Sequence, residues 1–240
     1  MRPLICCLLL AASIAHAQNE VLPPVKTQLK RDSRVLPYAQ LNGLLTRFRQ
    51  HGEGLFRMDF QVAKDKTDVP IADVKLAVRS DDADYPIKLD GDGRFDLPVL
   101  PEAEAKTADM ATNVPTGKKM AIKGTVELTT PPDKLDLATV RRAMRVARTL
   151  REELLPWYLR WLFPRMEGVR ICSDTATWEL EWRENGKLMG LPLPAAPGER
   201  EPETKSGAPS RPCALLTGQE NWPDDARLLP PPGTKLSVKF

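Results

Sequence analysis

Four cysteines and two histidines are what this chain offers for thiol, imidazole or soft-metal chemistry. Their placement narrows that further. Cys6, Cys7 and His16 fall within MRPLICCLLLAASIAHA, which has a positive start at Arg2, a short apolar run from Leu4 to Ala12, and small residues at Ala15 and Ala17. That is the pattern of a secretory signal peptide, with cleavage between Ala17 and Gln18. The apolar run is shorter than the roughly 18–20 residues of a membrane-spanning helix. Cys6 follows Ile5 and Cys7 follows Cys6, so neither has the small preceding residue of a lipoprotein cysteine. Loss of residues 1–17 leaves Cys172, Cys213 and His51.

Two cysteines in an oxidising compartment predict a Cys172–Cys213 disulfide. A redox-active pair would need Cys-x-x-Cys spacing, which is absent. His51 stands in Gln50-His51-Gly52-Glu53-Gly54 and reads as a solvated loop residue. No Gly-x-Ser-x-Gly elbow accompanies it. With both cysteines spent on each other, zinc lacks ligands. The sequence nominates no catalytic residue, no metal ligand and no cofactor.

The carboxylates give little more. Asp81, Asp82, Asp84, Asp90 and Asp92 invite a calcium reading, Asp90 and Asp92 most of all. The EF-hand pattern also needs a third acidic or Asn position and a distant Glu, both missing here. Asp90-Gly91-Asp92-Gly93 reads as a hairpin turn. Glu179 and Glu181 alternate with Trp178, Leu180 and Trp182, the pattern of a strand's solvated side.

The arginines carry the one surface worth nominating. Arg141, Arg142, Arg145, Arg148 and Arg151 recur along a helical stretch from about Leu135. Trp157, Tyr158, Trp161 and Phe163 follow. Guanidinium groups beside interfacial aromatics suit lipid phosphates or an acidic protein. Arg141, Arg145, Arg148, Trp157 and Trp161 therefore form the expected interaction surface. The plainer alternative is a helix whose apolar stripe (Leu137, Val140, Met144, Ala147, Leu150, Leu154) packs on a sheet while its arginines face water.

The elements that must position these residues follow from periodicity. Residues 37–50 share an apolar face of Tyr38, Leu41, Leu45 and Phe48, predicting a short N-terminal helix that Asn42-Gly43 weakens. Period-two runs at Phe56–Val62, Val74–Val78, Tyr85–Leu89, Phe95–Val99, Met120–Leu128, Val169–Cys172, Trp178–Arg183 and Leu188–Leu193 predict strands. Glu102–Lys119 is polar and Ala/Thr-rich, a predicted loop. Asp133 or Asp136 would cap the central helix. Asn185-Gly186 predicts a type I′ turn. The expectation is an α+β fold. It has an antiparallel β-sheet or sandwich of about eight short strands, a short N-terminal helix and a longer central helix. Organisation reads as signal peptide 1–17, flexible lead 18–34 and globular domain 35–193. A disordered Pro-rich loop 194–212 and a tail 213–240 follow, the tail pinned by the disulfide and ending in the short strand Lys235–Phe240.

A net charge of +3 over 240 residues gives no case for nucleic acid. Leu36-Pro37-Tyr38, the run Asp92-Gly93-Arg94-Phe95-Asp96-Leu97-Pro98 and the run Leu162–Val169 resemble an uncharacterised family of secreted proteobacterial proteins. The resemblance spans residues 35–193 and implies export without implying an activity. Leu89–Leu100 resembles the hairpin of transthyretin-like and carboxypeptidase-regulatory β-sandwiches. The expected function is a periplasmic or secreted non-enzymatic binding module. Its partner would be an envelope protein or an anionic lipid surface, with no transmembrane helix in the mature chain. The alternatives are a periplasmic hydrolase using carboxylates and a structural protein associated with the outer membrane.

Overall fold

The computed structural model describes residues 30–31, 37–154, 164–201 and 210–240. The signal segment, its cleavage point, Trp157 and Trp161 lie outside the described residues. The fold is α+β, and every strand pairing is antiparallel. The described residues form three α-helices and thirteen strands in four small sheets, more strands than the spacing predicts.

The first half runs β1 (Lys30–Arg31), α1 (Tyr38–His51), β2 (Phe56–Val62), β3 (Leu76–Arg79), β4 (Asp84–Ile87), β5 (Arg94–Phe95), α2 (Glu102–Ala105), β6 (Asp109–Thr112) and β7 (Ile122–Leu128). It makes two sheets, β1-β6-β3-β4 and β5-β2-β7. Helix α1 tolerates Asn42-Gly43 because Asn42 is buried and bonds Leu100 in both directions. Its Nδ2 donates to the Leu100 carbonyl at 3.0 Å and its Oδ1 accepts from the Leu100 N–H at 2.8 Å. Tyr38 lies fully buried, its hydroxyl donating to the Pro98 carbonyl at 2.6 Å, and burial pushes its pKa up to about 12.

Two expectations change here. The segment Glu102–Lys119 is not one loop, since it holds α2 and the interior strand β6. Its apolar content is small residues, with Ala108, Met110 and Ala111 buried, so the period-two signal is faint. The Asp90–Gly93 turn forms, with the Gly93 N–H bonded to the Asp90 carbonyl at 3.0 Å and Gly93 at φ 78°. The strands it joins separate, however, β4 pairing with β3 and β5 with β2. The turn is a crossing between sheets, not the tip of a hairpin.

The second half runs α3 (Leu137–Leu154), β8 (Gly168–Cys172), β9 (Trp178–Glu184), β10 (Lys187–Leu193), β11 (Cys213–Leu216), β12 (Arg227–Leu229) and β13 (Lys235–Lys239). Asp136 caps α3, its Oδ1 accepting from the Thr139 N–H at 2.7 Å. The buried stripe is Leu137, Val140, Ala143, Val146 and Leu150. Met144 and Ala147, placed on that stripe by the spacing, sit half-buried at its margin. Sheets β10-β9-β12 and β11-β8-β13 complete the architecture. The tail after Cys213 therefore contributes three strands where one was expected, because β11 and β12 are too short to show a period. Asn185 (φ 50°) and Gly186 (φ 77°) both adopt positive φ, as a type I′ turn requires.

Two cores result. One gathers α3 with β8, β9, β11 and β12; the other gathers α1 with β2 to β6. Met58 on β2 packs against both. No helix among the described residues is long and apolar enough to cross a membrane.

Candidate functional site

A cleft opens along the core gathered by α3. Its volume is about 430 Å³. Leu44 and Phe48 come from α1, Phe56 and Met58 from β2, and Val126 from β7. Ala147, Leu150, Arg151 and Leu154 come from α3, and Val238 and Phe240 from the end of the chain. Arg151 is the one charged residue in this lining. Leu154 and Pro164, the described residues on either side of 155–163, both line it. The sequence did not reveal this cleft because its walls come from five elements, and each apolar residue also looks like ordinary core. A cleft this size lies within the range of small-molecule sites, and such walls favour an apolar ligand.

The arginines of α3 meet different fates. Arg141 is captured by the 217–224 loop. Its guanidinium donates to the carbonyls of Gly218 (3.2 Å), Glu220 (2.6 Å) and Trp222 (3.0 Å), and to the Asp224 carboxylate. It clamps that loop to α3, while its side chain keeps 28% exposure. Arg142 pairs with Glu53 at 2.6 Å. Arg145 and Arg148 are exposed, and among the described residues no ion pair engages either one. Arg148 stands one position from Ala147 and one turn from Arg151 on the cleft wall. On the facing helix, Arg47 follows Leu44 by one turn and donates to the Glu153 carbonyl at 3.5 Å. Of these arginines Arg151 lies in the cleft lining itself, and the exposed Glu152 and Glu153 follow it on α3.

The cysteines are joined as expected. Cys172 and Cys213 form a disulfide, their Cα atoms 4.2 Å apart at directly opposed positions of β8 and β11. Around them the charges are paired. Arg170 meets Glu199 at 3.0 Å, Arg211 meets Glu201 at 2.5 Å, and Lys239 reaches both Glu167 and Glu199. The hydrogen bond from Lys239 holds the Glu199 carboxyl below its ordinary value, and that from Arg211 does the same for Glu201. The described ends of the 194–212 segment are tied down too. The Ala196 N–H bonds the Cys213 carbonyl (2.9 Å) and the Cys213 N–H bonds the Glu199 carbonyl (3.2 Å). Residues 202–209 lie outside the described ones.

Catalytic and metal chemistry find less. His51 ends α1, half-buried, instead of lying in a solvated loop. Asp90 Oδ1 accepts from the N–H groups of Asp92 and Arg94, at 2.9 and 2.8 Å, so it serves the turn. Asp92 pairs with Lys64 at 3.1 Å. Among the described residues no cluster of His, Cys, Asp and Glu could hold a metal ion. The carboxylate pair most open to a hydrolase reading is Asp59 and Glu127. Arg94 bridges them at 2.5 and 3.4 Å, and Arg57 also holds Glu127 at 2.6 Å. Burial pushes the Asp59 carboxyl up, yet both groups are engaged by guanidinium partners. The chain matches no family model, no curated protein and no solved structure.

Proposed function

We propose that this chain is an exported, non-enzymatic binding module of the cell envelope. Its cleft takes the acyl chain of an anionic lipid, and the arginines at the cleft mouth meet the headgroup. One observation carries the reading. An apolar cleft of about 430 Å³ has Arg151 as the charged residue of its lining, with the exposed Arg148 one helical turn away. An acyl chain gains roughly 0.8 kcal/mol for each CH₂ removed from water. A phosphate or carboxylate headgroup gains charge-assisted hydrogen bonds from arginine. The signal-like leader and the disulfide support placement in the periplasm or outside the cell.

The test is sedimentation of residues 18–240 with vesicles of phosphatidylglycerol or of phosphatidylcholine. Binding to the first and not the second is expected, weakening with salt. Ala147→Trp, which fills the cleft from a half-buried position, should abolish binding with the circular dichroism unchanged. Equal binding to both vesicles, or binding that survives Ala147→Trp, would overturn the reading.

A further inference from the structure

Strand β10 is an edge. It lies at one end of the sheet β10-β9-β12, and residues 187 to 190 are exposed in succession. Leu188 is 65% exposed and Met189 39%. Natural edge strands are normally short, covered or charged, because free N–H and C=O groups invite another strand. The free groups here follow from the two-residue Asn185-Gly186 turn. It makes Glu184 and Lys187 a hydrogen-bonded pair, as are Trp182 with Met189 and Leu180 with Leu191. The backbone groups of Leu188, Gly190 and Pro192 therefore point away from β9. Pro192, which has no N–H, falls in that outward set, where its missing donor costs the hairpin nothing.

This edge is complementary to itself. We infer that two copies of this chain pair through β10, antiparallel, about a two-fold axis at Met189. In that register Leu188 opposes the partner's Gly190, and each residue donates one N–H to the other and accepts one. The two-fold repeats this, so both outward N–H groups of each chain are satisfied by four bonds. Pro192 stops the ladder at one end and the turn stops it at the other. The side chains agree. Nothing lies within 4 Å of a Cβ placed on Gly190, which leaves room for the partner's Leu188 beside it. Met189 shares the face of Trp182 and Leu180, so its meeting with the partner's Met189 continues an apolar row outward from the core. Lys187 opposes the partner's Leu191, and no like charges face each other.

Light scattering on residues 18–240 across a concentration series tests this. A concentration-dependent dimer is expected. Gly190→Pro removes one outward N–H and no bond to β9, so it should weaken the dimer at least about tenfold while the circular dichroism stays unchanged. Met189→Cys should cross-link to itself under mild oxidation, and Lys187→Cys should not. A monomer at every soluble concentration, a dimer unaffected by Gly190→Pro, or Met189→Cys that stays uncross-linked would each overturn the proposal. Lipid binding by a monomer would leave the cleft reading standing, so the two proposals fail separately.

Discussion

Two cationic regions of this molecule use their charges in opposite ways. On the sheet β11-β8-β13, Arg170, Arg211 and Lys239 are each matched to Glu199, Glu201 or Glu167, and the carboxylates are largely shielded, with Glu199 and Glu201 at 14% and 18% exposure. On α3 the charges grade along the helix, from Arg141, fully engaged, to Arg145 and Arg148, which face solvent. The sheet spends its cations holding a segment in place. The helix engages Arg141 and Arg142 within the fold and leaves Arg145 and Arg148 facing solvent. A row of identical residues is thus no unit of function, since partners distant in the chain decide which members remain available.

The contrast can be broken at its strongest point first. Cys172→Ser removes the cross-link that ties residues 41 positions apart in the sheet. It should lower stability by about 4 kcal/mol on the chain-entropy account, read as a fall in the urea midpoint. Arg141→Ala should cost about 2–3 kcal/mol, because three carbonyls and a carboxylate lose a charged donor. Arg145→Ala and Arg148→Ala should stay within about 0.5 kcal/mol of the parent. Equal losses at all three positions would erase the distinction drawn along α3. The smallest effect concerns pH. Glu199 and Glu201 have carboxyls held below the ordinary 4.5, so their contribution is present above that value and fades as pH falls through the lower folded values. The urea midpoint should therefore decline with acidity below about pH 4.5, and Glu199→Gln should flatten that slope.

Much of the framework was legible because it is local. The α1 face, the alternation of β2 and β9, the Asp136 cap and the Asn185-Gly186 turn each depend on neighbours within a few residues. So was the cysteine pairing, since Cys172 and Cys213 are the two cysteines outside the first seventeen residues. What escaped was set by distant chain. Strand β6 is held between β1 and β3, and nothing in Asp109–Thr112 announces that. The fate of Arg141 depends on carbonyls 77 to 81 residues away. The separation of β4 from β5 follows from sheet partners, while the turn between them obeys its local rule. The cleft required five elements at once.

The disulfide has a consequence for the alignment of the strands it joins. Cys172 and Cys213 oppose one another across β8 and β11. Side chains alternate faces along a strand, so a slip of one residue would put the two sulfurs on opposite sides of the sheet. The cross-link is therefore compatible with this register and not with one slipped by a single residue. Strand β13 pairs with the other edge of β8, so the cross-linked β8 is the centre of this sheet.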